Sequence, residues 1–337
     1  MDESGESVSV RRRDTVPPAR VLYVLSDGRS GSTVVAGALG NIEGFVPVGE
    51  LRGIWQASRV NELCGCGQPF GECPFWQEVG QQAFGGWEAK TVARMLLIDK
   101  YLCRHRSLPR LLFSNSERMR CAKGTHSEAL SRLYAAIQSV SGGCVIVDSS
   151  KDAPYALALA GVGTVRLRVV HLIRDSRGVV YSWGKRYVHR PEYERIGRLR
   201  DLPMGNRGTL SAAAGWAARN SFAALMPLRD IPLLRVRYED VVEAPGSELS
   251  RVASFARERP IAPNDLPLCF LSGEFESKPY HSIGGNPVRF RRGTIRMRPD
   301  LEWRDSLSRS RKVVVTLLTF PWLVRYRRTR SRRLVDA

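Results

Sequence analysis

Hydrophobic residues in this chain are concentrated in four short runs, each followed by polar or turn-forming residues. The runs are rich in β-branched and aliphatic side chains and have helix-compatible sequence between them, a pattern typical of buried parallel strands alternating with helices. It predicts an α/β fold with a doubly wound parallel sheet, in which ligands bind at the carboxyl ends of the strands. The four predicted strands are Val21–Ser26, Cys144–Asp148, Leu167–Ile173 and Leu233–Arg237.

Between and after these strands, the pattern predicts helices over residues 89–106, 126–140 and 208–228, the last of which is rich in alanine. The segments 190–208 and 259–300 are instead rich in proline, glycine and arginine. We interpret these two segments as functional loops rather than as core.

The first predicted strand runs into a Gly/Ser-rich turn and then into a predicted helix that extends through Leu39. In such a strand–turn–helix unit, backbone N–H groups and the positive end of the helix converge, which makes an anion-binding site. The turn lacks the Gly-Lys-Ser/Thr ending of a nucleoside-triphosphatase loop and has Arg29-Ser-Gly-Ser-Thr33 in its place. The loop is therefore predicted to hold an anion other than ATP.

A second candidate anion site follows the third predicted strand, which delivers Arg174 to its carboxyl end. A helix is predicted to begin near Ser176, so Ser182 lies about two turns into it, on a face that can look back at the strand end. Arginine and serine suit a phosphate monoester, because they offer a charged fork and a hydroxyl donor. The alternative is that Arg174 and Asp175 form a purely structural ion pair.

The charge of the chain also points to anionic partners. Its 337 residues carry a formal net charge of +19, which favours a phosphorylated or sulfated ligand, nucleic acid or an acidic membrane surface. The length suits one large domain, predicted over 21–310, preceded by a disordered leader over 1–20. No apolar run approaches the length of a membrane span, and no signal peptide is recognised, so we expect a cytoplasmic protein with reduced cysteines.

The two anion-binding segments together resemble those of sulfotransferases that use 3′-phosphoadenosine-5′-phosphosulfate (PAPS). The first loop is similar to their 5′-phosphosulfate loop, and the Arg174…Ser182 segment is similar to their 3′-phosphate motif in order, context and spacing. The resemblance covers roughly residues 20 to 305 and implies a P-loop NTPase-like parallel sheet flanked by helices. It implies PAPS as co-substrate, contacted in the first loop by Arg29, Ser30, Gly31, Ser32 and Thr33.

Four weaker matches extend the resemblance. Ser150-Lys151-Asp152 is similar to a segment of tyrosylprotein sulfotransferases whose lysine lies beside the sulfuryl group, and Tyr238-Glu-Asp240 is similar to a Tyr-Glu-Asp-Leu segment of the family. Arg291-Arg292-Gly293, ten residues before Trp303, resembles the segment that closes over the 3′-phosphate. A segment common in bacterial relatives implies that Asn286 and Arg289 also lie near the nucleotide, although Asn286-Pro287 is equally an ordinary turn signal.

Sulfuryl transfer resembles phosphoryl transfer, in which positioning and charge stabilisation supply most of the catalysis. Arg29 and Lys151 are predicted to stabilise the charge that grows on the leaving 5′-phosphate. Glu50 resembles the acceptor-deprotonating Glu of tyrosylprotein sulfotransferases, and Arg52 is placed to orient it. The alternatives are that Glu50 is simply solvated or that His281 is the base. The resemblance implies no metal.

Three cysteines, Cys64, Cys66 and Cys73, lie within ten residues. They offer three interpretations: a zinc site completed by Cys103 or Cys121, reduced packing thiols, or a redox-sensitive disulfide. Together with nearby tryptophans they suggest a small cap over about 55–125 that recognises the acceptor.

The basic C-terminal tail, 311–337, contains a short apolar stretch, Val313–Val324, between Arg/Lys clusters. We favour a helix that docks on the domain and breaks near Pro321. The alternative is peripheral contact with an anionic membrane surface, with Trp322 at the headgroup level.

We therefore predict a sulfotransferase that transfers the sulfuryl group of PAPS to a hydroxyl, or less readily an amine, of a carbohydrate, lipid or metabolite. Two other classes stay open. A nucleotide or small-molecule kinase shares the architecture but needs a lysine in the first loop and Mg²⁺ ligands. A non-catalytic nucleotide- or nucleic-acid-binding protein would explain the charge. Nucleic acid is the less favoured partner because the arginines cluster at strand ends and in one late loop.

Overall fold

The computed structural model describes residues 17–185 and 206–333 and contains a five-stranded, all-parallel sheet in the order β2-β3-β1-β4-β5. The predicted α/β fold with a parallel sheet is confirmed, and each of the four predicted strands is present. The central position of β1 places the loop that follows it in the middle of the carboxyl edge. The strands are β1 (Ala19–Ser26), β2 (Phe45–Gly49), β3 (Val145–Lys151), β4 (Val165–Ile173) and β5 (Leu233–Arg237).

Strand β2 was not predicted from the sequence, because Pro47 interrupts its apolar pattern. Proline lacks an N–H group and is tolerated in sheets mainly on edge strands. Strand β2 is such an edge strand, since it pairs in the sheet only with β3. Its position matters because β2 ends at Gly49, immediately before the candidate base Glu50.

Helices cover both faces of the sheet, and two antiparallel strands form a separate small hairpin. The predicted helices at 89–106, 126–140 and 208–228 are present with shifted ends. The helices are α1 (Ser32–Leu39), α2 (Ile54–Arg59), α3 (Pro74–Phe84), α4 (Ala89–Leu102), α5 (Leu108–Phe113), α6 (Glu117–Val140), α7 (Ala153–Ala160), α8 (Ser176–Gly184), α9 (Thr209–Phe222), α10 (Tyr238–Glu243), α11 (Pro245–Arg257), α12 (Trp303–Ser306) and α13 (Arg309–Arg333), and the hairpin strands are β6 (Glu274–Ser277) and β7 (Gly293–Arg296).

The core consists of two main apolar clusters, one on each face of the sheet. Successive side chains of a strand point to opposite faces, so Tyr23 of β1 packs with one cluster and Leu22 with the other. The helices inserted between β2 and β3 contribute Trp55 and Trp76 to the Tyr23 cluster. The segment 55–125 therefore covers a face of the sheet and shares its core, and recognition of an acceptor by this segment stays a prediction.

Two sequence interpretations need correction at the level of the fold. The segment 259–300 contains the β6–β7 hairpin and buried side chains such as Phe270 and Phe275, so part of it is core. The leader ends earlier than predicted, because Ala19 and Arg20 already belong to β1. Residues 1–16 of the predicted leader, and 190–205 of the other predicted loop, lie outside the described residues.

The C-terminal apolar stretch docks on the domain as part of α13. Val315 and Thr319 are fully buried, and the Trp322 indole N–H donates a hydrogen bond of 3.0 Å to Ser221 Oγ on α9. The helix continues through Pro321 rather than breaking there. Pro321 is exposed, so water can satisfy the carbonyl that a proline leaves without its partner.

The opposite face of α13 exposes a row of apolar side chains: Val313, Val314, Leu317, Leu318 and Phe320. Contact of this row with an anionic membrane surface stays a prediction, but Trp322 packs inward and is not available at the headgroup level. No helix among the described residues has an apolar stretch long enough to cross a bilayer.

His171 makes the stability of this core sensitive to acid. It is a buried core residue: its Nε2 lies 2.8 Å from Asn220 Oδ1, and its ring packs edge-on against Tyr326. Burial lowers the pKa of His171 to about 4. The pKa in the unfolded chain is about 6.5, so between these values the unfolded state binds a proton that the native state does not. The native contribution is therefore present above about pH 6.5 and is lost as the pH falls towards 4.

We predict that His171→Gln lowers Tm at neutral pH but makes Tm fall less steeply than in the wild type between pH 6.5 and 4. Thermal unfolding over this range measures both slopes. Other acid-sensitive groups, such as His126, are present in both proteins, so the difference between the curves isolates His171. Parallel curves would contradict the assignment.

Candidate anion-binding and group-transfer site

The loop after β1 has two residues with left-handed backbone conformation. Arg29 and Gly31 both have positive φ, 70° and 87°, and flank Ser30. Gly31 is required for a second reason, because a Cβ there would lie 2.3 Å from Tyr238 Cε2. Helix α1 begins at Ser32, and the first N–H groups of a helix have no partner within it. The predicted strand–loop–helix cradle is thus present.

An aspartate side chain anchors the loop through hydrogen bonds. The loop region also contains buried polar atoms that have no hydrogen-bond partner among the described residues. Asp27 Oδ1 accepts hydrogen bonds from the Gly28 N–H at 2.8 Å and from Arg219 at 2.7 Å. The hydroxyls of Ser26 and Ser30 are buried and have no hydrogen-bond partner among the described residues. Because a buried unsatisfied polar group is costly, the Ser30 hydroxyl fits a site that a ligand completes.

Arg174 joins the second predicted segment to this loop. Its Nη1 donates a hydrogen bond of 2.9 Å to the Arg29 carbonyl, and its guanidinium lies 5.4 Å from the Tyr238 ring. The meeting follows from strand pairing, since Ser26 at the end of β1 is in register with Leu172 of β4. The two segments that we predicted to bind anions therefore lie next to each other, as expected.

Ser182 lies on the side of α8 that faces Arg174. A Cβ at Gly178 would lie 3.3 Å from Arg174 Nε, and Ser182 is one turn further along the same face. Ser182 is buried, with 9% of its surface exposed. Contact of Arg174 and Ser182 with one phosphate group stays a prediction.

Two residues near these arginines were not predicted from the sequence. Asp300 Oδ2 accepts a hydrogen bond of 2.8 Å from Arg174 Nη2, so an anionic group already lies against this guanidinium. The ring of Trp183 lies 5.0 Å from the Arg29 guanidinium carbon and 4.3 Å from that of Arg207. The sequence held one signal for Trp183, which directly follows the predicted ligand Ser182. It held none for Asp300, because Asp300 contacts Arg174 from a segment far away in the chain.

Glu50 and Lys151 meet on the other side of the loop. The Lys151 ammonium donates a hydrogen bond to Glu50 Oε1. A Cβ at Gly285 would lie 3.2 Å from Glu50 Oε1 and 3.5 Å from Thr33 Oγ1, so Thr33 of α1 faces the same space. The predicted base, the predicted lysine and the first loop are therefore adjacent.

Arg52 does not orient Glu50, contrary to our expectation. Its guanidinium forms an ion pair with Asp152 and lies 3.7 Å from Asp99. Asp99 lies in α4 and Asp152 directly precedes α7, so both partners belong to the helices that cover the sheet. Lys151, and not Arg52, lies beside Glu50.

His281, the alternative base, lies against the cysteine cluster. Its Nδ1 is 3.2 Å from Cys73 Sγ, and its ring stacks on Phe75 with centroids 4.8 Å apart. These contacts engage one ring nitrogen and one ring face. Glu50, whose carboxylate lies beside Lys151 and the first loop, is therefore better placed than His281 to act as the base.

The late arginines Arg289 and Arg292 form hydrogen bonds with the segment 62–65. Arg289 donates to Glu62 Oε1 at 2.6 Å, and Arg292 donates to the Gly65 carbonyl at 2.6 Å. Arg291 is exposed in the turn before β7, Gly293 opens that strand with φ of 80°, and Asn286 caps a short turn by accepting from the Val288 N–H. Arg289 and Arg292 therefore have partners within the protein, and contact of this segment with the nucleotide stays a prediction.

Comparisons with known proteins find similarity at the level of structure. No protein-family model and no curated protein matches the chain. The chain is similar to a solved structure, the sulfotransferase domain of the olefin synthase from Synechococcus PCC 7002, with 19% sequence identity. The match covers 92% of this chain and 96% of that chain, with a TM-score of 0.46. Similarity at this level establishes neither a family nor an activity, so the function has to be inferred from the site itself.

Gly49 fixes the backbone that carries Glu50. It has φ of 80°, and a Cβ there would lie 2.1 Å from the Ile283 carbonyl oxygen. That carbonyl accepts a hydrogen bond of 2.8 Å from the Glu50 N–H, so the close approach is what positions Glu50.

We predict that Gly49→Ala lowers the free energy of unfolding by about 2 kcal/mol or more, because both the φ angle and the clash oppose a side chain. Gly53→Ala is the matched control, since a Cβ there meets nothing within 4 Å, and it should stay within about 0.5 kcal/mol of the wild type. Urea unfolding measures both. Equal stability of the two variants would refute the close approach.

Proposed function

We propose that this protein is a PAPS-dependent sulfotransferase that transfers a sulfuryl group to a hydroxyl, or less readily an amine, of its acceptor. The observation that carries the proposal is the hydrogen bond from Arg174 to the Arg29 carbonyl. It makes one continuous site of the two segments whose sequences resemble the 5′-phosphosulfate loop and the 3′-phosphate motif of these enzymes. A ligand with two separate phosphate groups fits such a site better than a ligand with one linear phosphate chain.

The order of the strands sets the direction in which the donor lies. Strand β1 is central, with β4 on one side and β3 followed by β2 on the other. We place the 5′-phosphosulfate on the loop N–H groups, with the Ser30 hydroxyl as a partner, and the 3′-phosphate on Arg174 and Ser182. The 3′-phosphate would replace the Asp300 carboxylate on Arg174. The sulfuryl group would then lie towards Lys151 and Glu50.

In this arrangement, Glu50 removes the proton of the acceptor as its oxygen attacks sulfur. A bond forms between the acceptor oxygen and sulfur, and the bond between sulfur and the bridging phosphate oxygen breaks. Adenosine 3′,5′-bisphosphate leaves with the bonding electrons, so negative charge grows on its 5′-phosphate. Lys151, Arg29 and the loop N–H groups are positioned to stabilise that charge.

The ion pair between Lys151 and Glu50 suits this chemistry. The hydrogen bond from the Lys151 ammonium holds the Glu50 carboxylate beside the first loop. A donor that arrives at the loop offers the ammonium a second anionic partner, the bridging oxygen. Glu50 is at the end of the edge strand β2, so the acceptor would enter from that side of the sheet.

We predict that adenosine 3′,5′-bisphosphate raises Tm without Mg²⁺ and that Arg174→Ala weakens its binding about 10- to 100-fold, as expected for a lost charge-assisted phosphate contact. Thermal-shift titration measures both effects. Arg166→Ala is the control, because Arg166 lies at the other end of β4 with an exposed side chain. Stabilisation by Mg-ATP alone would favour a kinase, and unchanged affinity in Arg174→Ala would refute the phosphate assignment.

We predict that Glu50→Gln lowers kcat about 10²- to 10⁴-fold while the affinity for adenosine 3′,5′-bisphosphate changes little, because the amide cannot accept the proton. Transfer of radiolabelled sulfate from PAPS to components of a fractionated cell extract provides the assay. Glu43→Gln, at an exposed position two residues before β2, should retain the wild-type rate. Full turnover in Glu50→Gln would show that Glu50 is not the base, but it would not contradict the assignment of the donor site.

A further inference from the structure

Three cysteines and one histidine converge at a point that the proposed transfer reaction does not use. Cys64, Cys66 and Cys73 come from the segment between α2 and α3, and His281 comes from the segment between β6 and β7. Their four donor atoms, three Sγ and one ring nitrogen, all lie within 4.8 Å of one another. Local sequence pattern brings the cysteines together, but His281 is more than two hundred residues away and joins them only in the fold.

The distances from Cys73 Sγ to the other three donor atoms are close to the edges of a zinc tetrahedron. Zn–S bonds of about 2.3 Å and Zn–N bonds of about 2.0 Å give S···S edges of about 3.8 Å and S···N edges of about 3.5 Å. Cys73 Sγ lies 3.7 Å from both Cys64 Sγ and Cys66 Sγ, and 3.2 Å from His281 Nδ1. We propose that Cys64, Cys66, Cys73 and His281 bind one Zn²⁺ ion as a structural site.

The surroundings hold the four ligands in place. The cysteine segment forms a turn in which the Cys64 N–H donates a hydrogen bond of 2.8 Å to the Gln68 carbonyl and the Gly67 N–H donates one of 2.9 Å to the Cys64 carbonyl. The stacking of Phe75 on the His281 ring, with the planes 5° apart, fixes the direction of Nδ1.

The two segments that carry the ligands are already joined through their backbones. The Gly65 N–H donates to the Ser282 carbonyl at 2.8 Å, and a Cβ at Gly65 would lie 2.4 Å from Ser282 Oγ. Ser282 is followed by Ile283 and Gly284, which pack against Gly49 and Glu50. A zinc ion here would therefore link the segment 281–284, which lies beside Glu50, to the cysteine segment that precedes α3.

The ligand set differs from the one that the sequence suggested. Cys121 is exposed, and Cys103 is buried elsewhere, beside Asp99 and His126. His281 completes the set instead. Three thiolates and one imidazole in a tetrahedron favour zinc over hard cations such as Mg²⁺. Four protein ligands leave no open position, so the proposed metal stabilises structure and takes no part in group transfer.

The test uses the full-length wild-type chain, purified without chelators, and elemental analysis by mass spectrometry. We expect about one zinc ion per chain and, in X-ray absorption at the zinc edge, three sulfur ligands at about 2.3 Å and one nitrogen at about 2.0 Å. Replacement by Co²⁺ should give the intense visible bands of tetrahedral cobalt with sulfur-to-metal charge transfer in the near ultraviolet. Weak octahedral bands, or no metal after reconstitution with Zn²⁺, would overturn the proposal.

Variants locate the ion. Cys66 is only partly buried, so Cys66→Ser should fold, and His281→Ala removes the remote ligand. Both should lower zinc affinity at least 10-fold in competition with a chromogenic chelator, whereas the exposed Cys121→Ser should match the wild type. Equal zinc content in all four proteins would indicate adventitious binding and refute the site. So would a disulfide between any two of the three cysteines in the mass of the intact, unreduced protein.

These readouts are independent of sulfuryl transfer. Loss of the proposed activity in every assay would leave the zinc stoichiometry and the cobalt spectrum as they are. Conversely, a chain without zinc would still present Arg174, Lys151 and Glu50 for the reaction proposed above.

Discussion

The candidate site depends on one hydrogen bond, from the Arg174 guanidinium to the carbonyl of Arg29. The Arg174 side chain is only 9% exposed, and a buried guanidinium is tolerated only when it is paired and hydrogen-bonded. The loop carbonyl and the Asp300 carboxylate supply those partners. The same bond fixes the loop after β1 against the end of β4, so the charge, the unusual backbone angles of the loop and the start of α1 form one candidate anion-binding surface.

The order of the strands then distributes the chemistry along the edge of the sheet. The positive side, at β4 and β5, carries Arg174 and Tyr238, and the opposite side, at β3 and β2, carries Lys151 and Glu50. The loop after the central strand β1 separates the two. A ligand that bridges them has its recognition groups on one side and its reacting group on the other.

The sequence predicted the parts of this arrangement that depend on local pattern. Short β-branched runs identified four strands, and the rule that parallel strands end at one edge placed Arg174 beside the first loop. It did not predict β2, because Pro47 disrupts the pattern, or the continuity of α13, because Pro321 is exposed and does not break it. The partners of Arg174, Arg289 and His281 were also missed, since each comes from a segment far away in the chain.

The central claim is that one nucleotide with two separate phosphate groups occupies both segments. A crystal structure of the full chain with adenosine 3′,5′-bisphosphate tests it most directly. The account predicts the 3′-phosphate on the Arg174 guanidinium, with Asp300 displaced, and the 5′-phosphate on the N–H groups of residues 30–33. A nucleotide bound elsewhere, or one whose 3′-phosphate faces away from Arg174, would contradict it.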